Sequence, residues 1–292
     1  MKGESCTYKV ADHLFRLMMP EQIAEPSNYI PFRVADGEPL FSLEVCEQAC
    51  RASEGMPHVY TDRSDEDMPR IEIYRDEEGW LFGVSQWRES PLCCFIRTSK
   101  DFHEAKLYIL PECDDRQFAI DNALMLVYAF ATAPLRTLEM HASVTVRDGK
   151  GYLFLGHSGT GKSTHSRLWM EAYEDAWLLN DDNPVVRILP DGEVRVYGSP
   201  WSGKTPCYKQ ESAPVGGIVK LTQAPENRIR PLRLPEAYAY MLSSSSGLKI
   251  EPEIMDALYE TIAEVIQRIQ VYELECLPNT DAARLCHDTL RK

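Results

Sequence analysis

Alternation of apolar and polar positions marks five strands in the first 112 residues, over 40–45, 70–74, 80–85, 93–98 and 106–110. Asp76-Glu77-Glu78-Gly79 predicts the hairpin turn between the second and third of them. The stretch 53–68 holds His58, Asp62, Asp65, Glu66 and Asp67 without an apolar period, and it reads as a polar loop rather than a metal cluster. Over 114–134 the pattern turns helical. Asp114 or Asp115 is placed to cap, Phe118, Leu124, Val127, Tyr128 and Ala131 form an apolar side, and the helix is expected to join two halves.

The second half opens with the strongest hairpin signal in the chain, a strand over 140–146, the turn Asp148-Gly149-Lys150-Gly151 and a strand over 152–155. Shorter strands follow at 177–179, 185–188, 194–197 and 217–221, with a helix at 235–242. The clearest helix runs over 252–270. Pro252 suits its first turn, and Ile254, Leu258, Ile262, Val265, Ile266 and Ile269 recur at helical spacing as a core stripe. A strand at 272–277 and a last helix from Asp281 close the chain. The pattern predicts a two-domain α/β protein, a small β-rich N-terminal domain over 1–112 and an α/β domain over 113–292.

Composition narrows the class. Of 292 residues, 44% are hydrophobic and 26% charged, which is globular usage. There are 45 acidic and 31 basic side chains, for a net charge of −14. Residues 1–120 hold 23 acidic and 13 basic groups (−10), and 121–292 hold 22 and 18 (−4). No basic stripe suits a duplex, so neither nucleic acid nor an anionic membrane is an expected partner, while a small anion remains open at a locally prepared site. No run reaches the ~20 apolar residues of a membrane span, the N-terminus lacks the plan of a signal peptide, and a cytoplasmic location is expected. Nine cysteines without a paired CxxC arrangement read as reduced, packed thiols.

The pattern G-x-x-x-x-G-K-[ST] occurs twice. The copy Gly156-His157-Ser158-Gly159-Thr160-Gly161-Lys162-Ser163 follows an apolar strand and opens at Thr164 onto a helix-compatible run. Its glycines let successive N–H groups face a polyphosphate at the positive helix end, Lys162 reaches the outer phosphates, and Ser163 can ligate Mg2+. The copy Gly198 to Thr205 carries Pro200 inside and Pro206 immediately after, so it cannot cradle phosphate in the same way. Its Trp201 and Lys204 belong either to a lid or acceptor-binding segment or to a structural turn.

A metal on the nucleotide needs carboxylates, and Asp181 and Asp182 end the first strand after the loop's helix, 19 and 20 residues beyond Lys162. One would hold Mg2+ while the other accepts the proton of an attacking hydroxyl. His141 lies 21 residues before Lys162, on the strand paired with the one that feeds the loop.

The span from His141 to Ser163, with Leu178-Leu179-Asn180-Asp181-Asp182-Asn183, resembles the catalytic domain of HPr kinase/phosphorylase, a family that shares its P-loop fold with ATP-dependent phosphoenolpyruvate carboxykinase. The resemblance covers about 138–292. It implies a P-loop mixed-sheet kinase domain in which His141 lies in the active site, Gly156 to Thr164 bind ATP, Lys162 and Ser163 meet phosphate and Mg2+, and Asp181 and Asp182 act as metal-linked acid and base, with Asp182 the proton acceptor. The family's glutamate-valine-arginine-glycine tract has its nearest counterpart at Glu193-Val194-Arg195, followed here by Val196. The expected activity is ATP-dependent, Mg-assisted phosphoryl transfer to a hydroxyl of a protein, peptide or small molecule. The alternative is a nucleotide-binding accessory protein with little transfer activity, and self-association is left open.

Overall fold

A computed structural model describes residues 4–46, 55–62, 69–203 and 205–291, and the chain divides between Ala131 and Thr132 into two compact units. The division falls after the helix expected to open the second domain, so that helix belongs to the first unit and not to 113–292.

The first unit holds β1 (Glu4–Val10), β2 (His13–Met19), β3 (Arg33–Val34), β4 (Phe41–Cys46), β5 (His58–Asp62), β6 (Ile71–Arg75), β7 (Gly79–Ser85), β8 (Leu92–Ser99), β9 (Glu104–Ile109) and α1 (Arg116–Thr132). The strands form one mixed sheet in the order β3-β1-β2-β4-β9-β8-β7-β6-β5. Strands β1 and β2 lie where no turn signal predicts a hairpin. Their two-residue turn is Ala11-Asp12, both left-handed (φ 46° and 63°) without a glycine. Strand β5 occupies part of the expected polar loop; Asp65, Glu66 and Asp67 lie outside the described residues. Helix α1 starts where Asp115 Oδ1 accepts from the Phe118 N–H at 3.0 Å. It packs Tyr128 edge-on against Phe15 and Phe41 and Phe130 against Phe82.

Two expectations fail here. Arg116–Leu135 is long and apolar enough to cross a membrane by length and composition, but 61% of its most apolar window is buried, as in a core helix. Cys93 and Cys113 are joined by a disulfide, so the thiols are not all reduced; Cys50 lies outside the described residues.

The second unit holds β10 (Thr137–Glu139), β11 (Ala142–Arg147), β12 (Lys150–Leu155), α2 (Lys162–Ala172), β13 (Trp177–Asp182), β14 (Val185–Ile188), β15 (Val194–Tyr197), β16 (Ser212–Gln223), β17 (Arg228–Pro231), α3 (Leu234–Ser243), α4 (Pro252–Arg268), β18 (Val271–Cys276) and α5 (Thr280–Leu290). Its mixed sheet runs β10-β14-β15-β16-β12-β11-β13, with β18 beside β16 and β17 beside β18. The β11–β12 hairpin turns at Asp148-Gly149, both at positive φ, as the sequence predicts.

Alternation along these strands sorts side chains to two faces. Ala142, Val144, Leu153 and Leu155 face Met241 of α3 and Leu258, Ile262 and Val265 of α4. Tyr152 and Phe154 face Leu168 and Trp169 of α2 and Ala283 and Cys286 of α5. Helices therefore cover both faces of the sheet, and each fully buried aliphatic or aromatic side chain contributes roughly 1.5–3 kcal/mol. Strands β12, β16 and β18 are parallel, and their C-terminal ends share one edge of the sheet.

Candidate functional site

Register brings the candidate residues to that same edge. Ala142 pairs with Leu155 on one side and with Asp182 on the other, so the start of β11 and the ends of β12 and β13 form one row. Beyond that row come His141, the loop from Gly156, and Asn183. In the next row, Ser143 pairs with Phe154 and with Asp181. Residues directly opposite share a face. Asp181 therefore lies on the α2 side, where Ser143 and Ser166 of α2 bond through their hydroxyls at 2.6 Å, while Asp182 belongs to the opposite face.

The loop is held by its own bonds. Gly159 and Gly161 take positive φ (77° and 107°), and Gly161 is the cap residue of α2, whose carbonyl accepts from the His165 N–H at 2.8 Å. The Thr160 hydroxyl donates to the His157 carbonyl at 2.8 Å. His157, Ser158, Gly159 and Ser163 are exposed, Thr164 is half-buried, and Lys162 is buried. The Lys162 ammonium donates to the Gly156 carbonyl (2.9 Å), the His157 carbonyl (3.4 Å) and His141 Nε2 (2.9 Å). His141 Nδ1 lies 3.1 Å from Asp182 Oδ1. Lysine has no acceptor, so Nε2 accepts from Lys162, which leaves the proton of a neutral ring on Nδ1, facing the Asp182 carboxylate. One imidazole thus links an ammonium to a carboxylate.

The two carboxylates differ in environment as well as face. Asp181 is buried (3% exposed), and its carboxylate makes no hydrogen bond or ion pair among the described residues. Asp182 is half-buried, pairs with His141, and sits at φ 137°, which only a supporting frame sustains in a residue other than glycine. That frame is the second motif. Asn180 donates to Ser199 Oγ (3.1 Å) and the Trp201 carbonyl (3.1 Å), and its own oxygen accepts from the Asn183 N–H (2.9 Å). Gly203 N–H and the Ser202 hydroxyl both donate to the Asp181 carbonyl, at 2.6 and 3.2 Å. No helix follows at 205–211, in keeping with the prolines; Lys204 lies outside the described residues. Glu193 and Arg195 pair with each other at 2.6 Å beside the β14–β15 turn.

A Cβ at Gly203 would sit 3.1–3.2 Å from the Asp182 side chain, too close for the carboxylate to keep its place. Gly203→Ala should reduce any transfer activity by roughly tenfold to a hundredfold, the scale of a small misplacement of a reacting group, while nucleotide affinity stays the same. An unchanged rate in a steady-state assay would show that this segment does not set Asp182.

Other residues take different roles. His165 is core: its ring meets Phe154 edge-on at 4.6 Å, its Nε2 accepts from Trp169, and burial pushes its value down to about 4. Sequence reasoning passes over Asn180, which reads as a strand residue, and Glu139. The signal for Glu139 was present, a lone acid in the apolar run Leu138-Glu139-Met140, two residues before His141 and on its face.

Glu139 is fully buried, and among the described residues neither carboxylate oxygen has a partner at ordinary hydrogen-bond geometry. Burial pushes its carboxyl from the usual 4.5 up to about 7; nearby Ser246 and His141 lower it, and Asp182 raises it. The folded chain then holds a proton between pH 4.5 and 7 that the unfolded chain releases. This contribution is full below pH 4.5 and is lost as pH rises through 7, on the order of 3 kcal/mol in all. His165 has the opposite slope, so the difference between variants is diagnostic rather than either curve alone. Urea unfolding at pH 5 and pH 8 should show Glu139→Gln gaining stability relative to the parent at the higher pH. Parallel losses at both would overturn a protonated Glu139.

No family model matches the chain, and no curated protein matches it. Among solved structures, it is similar to the Hpr(Ser) kinase/phosphatase from Coxiella burnetii at 15% identity, over 53% of this chain and 99% of that chain, with a TM-score of 0.30.

Proposed function

We propose that the second unit transfers the γ-phosphoryl of ATP, with Mg2+, to a hydroxyl acceptor: a serine of a protein or peptide, or a small-molecule alcohol. The observation that carries this reading is the unbroken polar chain from the Gly156 carbonyl through Lys162 and His141 to Asp182. It sets a loop cation and a half-exposed carboxylate on either side of one imidazole, at the end of the strand that feeds the loop.

The donor set suits the metal. Asp181 is a buried carboxylate with no hydrogen bond or ion pair among the described residues, which is costly unless a cation compensates it, and it lies on the face of α2, whose first turn carries the exposed Ser163 hydroxyl. Hard oxygen ligands of this kind, one or two from protein, are what Mg2+ takes alongside phosphate. Bound there, Mg2+–ATP supplies the phosphoryl group and a metal that neutralises its developing charge. The chain's own residues do the rest. Lys162 and the loop N–H groups fix the phosphates. Asp182 accepts the acceptor's hydroxyl proton at its carboxylate, and Nδ1–H of His141 holds that carboxylate in place.

The test is incubation of the whole chain with γ-labelled ATP, Mg2+ and a panel of acceptors that includes free serine and serine-containing peptides. Label in an acceptor supports transfer. Label released only as free phosphate, or not at all, supports the accessory reading.

A further inference from the structure

At the end of α3 lies a run of four serines, Ser243-Ser244-Ser245-Ser246, alongside the residues that lead to His141. We infer that Ser246 is a phosphoryl acceptor within the chain itself, its hydroxyl attacking the γ-phosphorus of ATP on the loop and passing its proton to Glu139. The inference rests on the transfer reading above and names one acceptor for it.

The backbone fixes the segment first. His141 N–H donates to the Ser244 carbonyl at 2.7 Å and Ser246 N–H to the Glu139 carbonyl at 3.0 Å, on either side of an antiparallel bridge between Met140 and Ser245. Ser246 therefore stands opposite Glu139, two residues from the imidazole that bonds Lys162. The side chains then sort the run. The Ser243 hydroxyl donates to the Tyr240 carbonyl (3.0 Å) and the Ser245 hydroxyl to the Met241 carbonyl (2.8 Å), so both close the last turn of α3. Ser244 is buried, whereas Ser246 is exposed. The Ser202 hydroxyl, on the residue bridged to Asp182, is engaged with the carbonyls of Asp181 and Thr205.

Glu139 is the independent sign that a proton is received here. It is 2% exposed, its carboxylate oxygens lack partners among the described residues, and the Ser246 hydroxyl interacts with it short of a formed hydrogen bond. A carboxylate within reach of a hydroxyl, sheltered from water, is the arrangement of a general base. In the transfer the bond from Ser246 Oγ to the γ-phosphorus forms as the bond from that phosphorus to the bridging oxygen breaks. The bonding pair leaves with ADP, and the hydroxyl proton moves to the Glu139 carboxylate.

The test incubates the whole chain with γ-labelled ATP and Mg2+ at pH 8, with and without the acceptor panel, and locates label by tandem mass spectrometry of a digest. About one phosphate per chain is expected on Ser246, at a rate independent of protein concentration, as an intramolecular step requires. Ser246→Ala should lower incorporation at least about tenfold, and Glu139→Gln about a hundredfold, with a thermal melt beside each. Ser246→Ala changes an exposed side chain and keeps the test available should the buried substitution not fold. Label elsewhere in the chain, a rate proportional to protein concentration, or parental incorporation in either folded variant overturns the inference. Label in an added acceptor and none in the chain overturns it and leaves the transfer reading standing. Label in neither overturns both.

Discussion

Lys162→Ala should lower ATP-dependent transfer by about a thousandfold or more, the upper range for removing one preorganised charge-stabilising group. The side chain is buried against the loop, and its ammonium bridges the Gly156 carbonyl and His141 Nε2, each at 2.9 Å. In a chain of net charge −14, that ammonium and the loop N–H groups supply the positive character of the site. Alanine removes the cation and also frees His141 from one of its two anchors, so both the phosphate end and the carboxylate end lose order. The fold should survive. A truncated lysine stem costs about 1–2 kcal/mol, or roughly 2–8 °C in a unit of this size. Lys162→Met, which keeps the stem and loses the charge, separates packing from electrostatics and should be as inactive as the alanine variant. Full activity in either, measured with γ-labelled ATP beside a thermal melt, would overturn the assignment of the loop.

How far this was legible in the sequence follows from which forces are local. The Asp148-Gly149 turn, the strand into Gly156 and the helix after the loop are written in neighbouring residues; the structure has the turn and strand where the pattern puts them and starts the helix at Lys162, two residues before Thr164. Pairing between distant strands is not local. Nothing in 177–182 says that β13 returns beside β11 instead of β12, yet that choice aligns Asp182 with Ala142 and brings it to His141. The same holds for the second motif. Its prolines rule out a phosphate cradle, but only the tertiary bonds of Asn180 show that it is clamped beneath the carboxylates. In the first unit, the Ala11-Asp12 turn hides the first hairpin because neither residue carries the glycine signal of a left-handed turn. The Cys93–Cys113 pairing hides because spacing alone does not fix which cysteines meet.

Asp182→Asn discriminates best between a transferase and a nucleotide-responsive accessory protein. Under the transferase reading it should cost about 10²- to 10⁴-fold in rate, the worth of a positioned general base, with ATP affinity changed by no more than a few-fold. The substitution keeps the shape, and asparagine tolerates positive φ about as well as aspartate, so the strained backbone at φ 137° gains no new penalty. It also keeps an oxygen toward His141 Nδ1–H, so what disappears is the capacity to take a proton. Asp181→Asn should behave differently. Its residue is buried, lies on the α2 face and has no hydrogen bond or ion pair among the described residues, so its loss should appear as a raised Mg2+ requirement rather than as a uniform fall in rate. Strand alternation is what makes the two neighbours separable, since adjacent residues on β13 face opposite sides of the sheet. Equal and parallel effects of the two substitutions on rate and Mg2+ dependence would show that the carboxylates act as one unit. An Asp182→Asn variant with parental turnover would leave nucleotide binding without transfer as the function of the site.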